Sequence, residues 1–108
     1  AEKFMSPLQR SMKQLREEGW LVEKTEHWNP WSKTRHDLFG LFDLLCIHRK
    51  DRHTLGVQVT SMSGKQPHIR KMKANKNLQV VRDAGWMIQL HSWRKLKKTG
   101  WTINVERM

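Results

Sequence analysis

The chain has 108 residues, with 21 Lys and Arg against 10 Asp and Glu, a formal charge of +11 before any of its six histidines protonates. That length fits one domain over residues 1–108 and leaves little room for a second, while six Trp, three Phe and clusters of Leu, Ile and Val argue against disorder. One cysteine excludes an internal disulfide framework and suits a reducing cytoplasm, no apolar run approaches the roughly 20 residues of a membrane span, and a pI near 10.4 points to a polyanionic partner, most simply nucleic acid.

Ser6-Pro7 reads as an N-cap followed by a proline at the first helical position, where its missing N–H costs nothing. Leu8, Met12 and Leu15 recur at helical spacing, and Gly19 is the expected stop. Trp20-Leu21-Val22 opens an extended run that places Val22, Lys24 and Glu26 on one side and Leu21, Glu23 and Thr25 on the other. From His27 to His36 the composition predicts a loop. Leu38 to Ile47 is the most apolar stretch and reads as a strand buried on both faces. Lys50 to His53 forms a turn into a strand over Leu55 to Thr60, making an antiparallel hairpin. After a polar connection from Ser61 to Pro67, a helix is predicted over His68 to Ala84, ended by Gly85. Strands over Trp86–Trp93 and Trp101–Val105 close the chain, joined by a basic turn from Arg94 to Gly100. The expected fold is therefore α/β, a mixed sheet of about five strands flanked by helices in the order αβββαββ.

Asp43 breaks the local rules, because an ionised carboxylate inside an apolar segment is costly without a partner. Gln58 is the strongly polar side chain between Val57 and Val59 on the neighbouring strand. In a hairpin around Asp51 the two face one side of the sheet, as two oxygen ligands for a hard cation such as Mg²⁺. The bland alternative is that Asp43 caps a turn or pairs with an arginine. Asp37, six residues earlier, either adds a further carboxylate, or simply caps the loop or pairs with Arg35. Cys46-Ile47-His48 lacks a second ligand pair and so does not indicate zinc.

The pattern resembles the PD-(D/E)XK nuclease superfamily, in particular the archaeal-type Holliday-junction resolvases and small phage nucleases. The resemblance runs from the helix ending at Glu17-Glu18-Gly19-Trp20, through the strands of Asp43 and Gln58, to the helix ending near Gly85 and the Gly100-Trp101 strand. It implies a restriction-endonuclease-like domain with Asp43 as the metal-binding aspartate, Gln58 in place of the second acid and Thr60 in place of the lysine. Val59 would contribute its backbone carbonyl to the metal, with Asp37 as a further ligand. Lys65, Arg70, Lys71 or Lys73 would replace the motif lysine. Resolvases of this group carry a glutamate on the first helix, and Gln9 falls at the nearest matching offset from Gly19-Trp20. The resemblance further implies a Mg²⁺-dependent endodeoxyribonuclease, with Mn²⁺ as a substitute, acting as a homodimer on branched or junction DNA. Its setting would be the cytoplasm of a bacterial, archaeal or phage-infected cell. The rival reading is a non-catalytic nucleic-acid-binding protein that retains the fold.

Basic residues cluster at Lys33 and Arg35, at Lys65, Arg70, Lys71, Lys73 and Lys76, and at Arg94, Lys95, Lys97 and Lys98. Such clusters suit phosphate contacts. Trp28 and Trp31 bracket Asn29-Pro30 and either stack on an exposed base or fold back over the small core.

Overall fold

In the computed structural model, which describes residues 5–108, the first element is helix α1 (Pro7–Glu17). The Ser6 hydroxyl accepts from the Gln9 N–H while the Gln9 side-chain oxygen accepts from the Ser6 N–H, a capping box that satisfies two otherwise unpaired donors. Gln9 is thereby committed to the cap. At the other end Gly19 adopts φ 96°, and the N–H groups of Gly19 and Trp20 return to the carbonyls of Arg16 and Leu15. This Schellman ending requires a left-handed residue, which glycine adopts without a Cβ penalty.

The strands are β1 (Leu21–Lys24), β2 (His27–Asn29), β3 (Thr34–His36), β4 (Leu44–Ile47), β5 (Leu55–Ser61), β6 (Met87–Leu96) and β7 (Gly100–Arg107). Between β5 and β6 lie a short 3₁₀ turn over Met62–Gly64 and the helices α2 (Lys65–Ala74) and α3 (Asn77–Asp83). One five-stranded sheet runs β1-β4-β5-β6-β7. Its β5–β6 pair is parallel and the others are antiparallel. With α2 and α3 taken together in place of one expected helix, the order over this sheet is αβββαββ, the expected mixed α/β architecture. No helix among the described residues is long and apolar enough to cross a membrane.

Each face of the sheet has its own core. On one, Leu15 of α1 packs with Val22, Leu44, Cys46, Leu55 and Val57. On the other, Met72, Leu78 and Val81 of α2 and α3 pack with Leu41, Phe42, Ile88 and Leu90. Each such side chain contributes about 1.5–3 kcal/mol relative to exposure. Gly56 is needed on β5 because a Cβ there would lie 2.8 Å from carbons of the Phe42 ring.

Several boundaries differ from the sequence reading, including the start of α2 at Lys65 in place of His68. Leu38–Ile47 is not one strand: Leu38 and Phe42 pair across a tight turn with Phe39 and Gly40 at positive φ, and only Leu44–Ile47 joins the sheet. The apolar run is apolar because Leu41 and Phe42 fill the second core, not because the backbone is extended throughout. The segment expected to be a loop contains the antiparallel pair β2–β3, whose polar three-residue strands carry no apolar alternation. The helix expected over 68–84 breaks at Asn75, whose side-chain oxygen accepts from the Asn77 N–H and whose amide nitrogen donates to the carbonyls of Phe39 and Gly40. Local bonds of this kind compete with helix. Finally, β6 and β7 extend inward to Leu96 and Gly100, which places Arg94 and Lys95 on a strand rather than in the turn.

Beneath α1 lies a buried polar chain. The Trp93 indole donates to Ser11 Oγ at 2.8 Å, Ser11 Oγ lies 2.8 Å from His91 Nδ1, and His91 Nε2 lies 2.9 Å from the Gln89 amide oxygen. The Gln89 amide oxygen can only accept, so Nε2 carries the proton of the neutral imidazole and Nδ1 accepts from the Ser11 hydroxyl. His91 is 1% exposed, and its burial holds the imidazole neutral with a pKa pushed down to about 4. Ser11→Ala leaves the indole donor and the Nδ1 acceptor unpaired together. It is expected to lower stability at pH 7 by about 1–3 kcal/mol, read from urea denaturation.

Candidate functional site

Four segments meet at one end of the sheet. The β1–β4 ladder pairs Lys24 with Leu44 and continues through the bond from the Thr25 N–H to the Asp43 carbonyl. The β4–β5 ladder pairs Leu44 with Val57 and continues through the bond from the Asp43 N–H to the Val57 carbonyl. Asp43 is thus held on both sides by backbone at the entry to β4, opposite Gln58. The β2–β3 hairpin is inserted between Glu26 and Asp37, so its two legs deliver those carboxyls to the same place.

Glu26, Asp37 and Asp43 bring carboxylate oxygens within 4.8 Å of one another. They line a cleft of about 500 Å³ together with Lys24, Arg35, Gln58, Val59 and Thr60, and with Ser6, Pro7 and Leu8 at the start of α1. Asp43 is 6% exposed. Its Oδ2 accepts from the Val59 N–H at 2.8 Å and from the Gln58 amide nitrogen at 3.1 Å. Both donors reach the same oxygen, so neither holds Oδ1.

Burial raises the pKa of Asp43 to about 7, with the Asp37 and Glu26 carboxylates adding to the rise and the Val59 N–H opposing it. The cations nearby serve Glu26 instead: Lys24 Nζ lies 3.5 Å and an Arg35 guanidinium nitrogen 3.6 Å from Glu26 Oε1. Lys24 and Arg35 are themselves largely exposed, so these pairs add little to stability and their cations are available to another anion.

Three carboxylates converging in one cleft, one of them buried without a cation of its own, suit a hard divalent cation. Asp37 points into this group, and the ion pair of Arg35 goes to Glu26, which favours the site reading of Asp37 over a pairing with Arg35. Gln58 turns its amide nitrogen toward Asp43 and orients that carboxylate, in place of the expected ligation through its oxygen. Val59 contributes its N–H to Asp43. A strand residue directs N–H and C=O to the same side, so its carbonyl opens toward the cleft as well. Thr60 forms part of the wall. A Cβ at Gly64 would come within 2.4 Å of its hydroxyl, so the 3₁₀ turn packs tightly on it.

Lys65, Arg70, Lys71 and Lys73 do not line the cleft; they belong to α2, and Lys65 lies 4.0 Å from Glu106 of β7. The positive charge at the cleft comes from Lys24 and Arg35. Lys33 sits at the hairpin tip, exposed, as are Trp28 and Trp31, which therefore do not cover the core. The residue missed in the sequence is Glu26. Its signal was the alternation of Val22, Lys24 and Glu26, which puts Glu26 on the side of β1 that continues past Leu44.

Comparison with protein-family models, with curated proteins and with solved structures gives no match for this chain.

Asp43 and His91 move stability in opposite directions with pH. Asp43 binds its proton more tightly folded, at about 7 against 3.8, so its stabilising contribution is full below pH 3.8 and lost as pH rises through 7. His91 binds its proton less tightly folded, at about 4 against 6.5, so its contribution is full above pH 6.5 and lost as pH falls through 4. In chelator at pH 8, Asp43→Asn is expected to exceed wild-type stability by roughly 2–4 kcal/mol. The gain should vanish near pH 4, where the variant shows the His91 loss unmasked. Urea denaturation of both proteins across that range checks the prediction.

Proposed function

We propose that the chain is a small metal-dependent endonuclease that hydrolyses phosphodiesters of branched or junction DNA, in the manner of the PD-(D/E)XK nucleases that its sequence resembles. The observation that carries this reading is the convergence of Glu26, Asp37 and Asp43 in a cleft on a chain of net charge +11. Glu26 answers the main weakness of the sequence pattern, since it supplies a second full carboxylate where Gln58 offers an uncharged amide.

Each residue has a task in this scheme. Glu26, Asp37 and Asp43 would hold Mg²⁺, or Mn²⁺ in its place, with the Val59 carbonyl as a further oxygen. Such an ion supplies an acidified water and neutralises charge on the scissile phosphate. Gln58 and the Val59 N–H fix the orientation of Asp43. Lys24 and Arg35 exchange Glu26 for the phosphate and offset the charge that develops on it, a task for which Thr60 has no charge. Lys33 and the exposed cations of α2 bind flanking phosphates. Two cuts in a two-fold junction call for a homodimer.

The second reading, a nucleic-acid-binding protein without catalysis, is favoured by Thr60 standing in place of the motif lysine. An assay on four-way junctions and on linear duplex, with Mg²⁺ or Mn²⁺, separates the two. Wild type is expected to cut the junction, with Asp43→Asn and Glu26→Gln each slowing it by about 10²-fold or more. Salt-sensitive binding with no cleavage in either metal would overturn the nuclease reading. Cleavage that survives Asp43→Asn would show that the site lies elsewhere.

A further inference from the structure

The β2–β3 hairpin forms a sheet of its own, detached from the main one. Two strands of three residues are marginal by themselves, and this pair is held at its root, where Glu26 meets Lys24 and Arg35. Its tip is built rather than loose. The Asn29 side-chain oxygen accepts from the N–H groups of Trp31 and Ser32, at 2.9 and 3.3 Å. The Ser32 hydroxyl lies 2.7 Å from that of Thr34, which in turn lies 2.9 Å from His36 Nε2. Lys33 adopts a φ of 56° to close the turn.

This construction holds two tryptophans in water. Trp31 is 93% exposed and Trp28 is 56% exposed, whereas Trp93 is buried in the body of the protein. Trp28 pairs directly across the hairpin with Arg35, so the two share one face, and Arg35 lines the acidic cleft. No acidic residue occurs between His27 and His36, while Lys33 and Arg35 do. The hairpin therefore offers flat aromatic surfaces and positive charge along one path that leads to the carboxylates. A ligand with both planar rings and regularly spaced negative charge matches that path, which describes nucleotides whose bases are unstacked.

We infer that the β2–β3 hairpin is a base-stacking arm that takes unpaired nucleotides on Trp31 and Trp28 and leads their backbone past Arg35 into the cleft. The inference deepens the nuclease reading and rests on it for the direction of the strand. It makes the substrate class DNA with unpaired nucleotides beside the scissile phosphate, as at a junction centre, flap or single-stranded gap.

The test is binding without cleavage, in chelator, to a single-stranded DNA oligonucleotide and to a blunt duplex of about twelve nucleotides. Trp31→Ala is expected to weaken single-strand binding about tenfold and duplex binding less than about twofold, with Trp31→Phe recovering most of the loss. Lys33→Ala should weaken both DNAs and reduce the salt dependence. Equal losses on both DNAs for Trp31→Ala, or no loss on either, would overturn the arm; the second result would assign the exposed ring to a protein surface. Because no metal is present, a selective Trp31 effect in a protein that never cuts would refute the nuclease reading alone. Cleavage in a protein without that effect would refute the arm alone.

Discussion

The Val59 N–H and the Gln58 amide converge on one oxygen of Asp43 at the entry to β4, and the cleft is organised around that junction. Backbone bonds from Thr25 and to Val57 lock the same residue on either side. Asp43 is therefore both a structural corner, where three strands are brought into register, and a carboxyl that the fold deprives of water. Such a group keeps a proton or acquires a cation, because an isolated buried negative charge is too costly. The nearby positive charges engage Glu26, which leaves the need of Asp43 unmet by the protein.

The opposite polar requirement is met on the α1 side of the sheet. There the Trp93–Ser11–His91–Gln89 chain satisfies its donors and acceptors internally, and the imidazole stays neutral. The first group is balanced within the protein, whereas Asp43 is hydrogen-bonded but has no cation of its own. A balanced network specifies packing, whereas an uncompensated carboxyl beside an open cleft is a candidate site for a ligand. On the proposed reading, a polyanion accompanied by a divalent cation would satisfy the carboxylates, Lys24 and Arg35 together.

The hairpin links these features. Its legs end on Glu26 and Asp37, so the segment that carries the exposed tryptophans also positions two of the three carboxyls. Recognition and chemistry on the proposed reading share one short piece of chain. The α2–α3 break serves the neighbouring turn in a comparable way, since Asn75 and Asn77 bond to the carbonyls that follow Leu38 and so brace the approach to Asp43.

Much of this was legible in the residues. The caps at Ser6, Gly19 and Gly85 and the segment order needed only local chemistry, because a cap or a stop depends on its own turn of backbone. Asp43 stood out because a carboxyl among apolar neighbours has few inexpensive explanations. Four things depended on tertiary structure: the splitting of the Leu38–Ile47 run, the break at Asn75, the pairing within the polar hairpin, and the arrival of Glu26 beside Asp43. Each rests on a contact between residues distant in the chain, and a pattern of neighbours along the sequence carries no distance between such residues. The chain by itself determined that a basic α/β domain would bury one carboxyl; the packing of β1 and the hairpin against β4 decided that two more would join it.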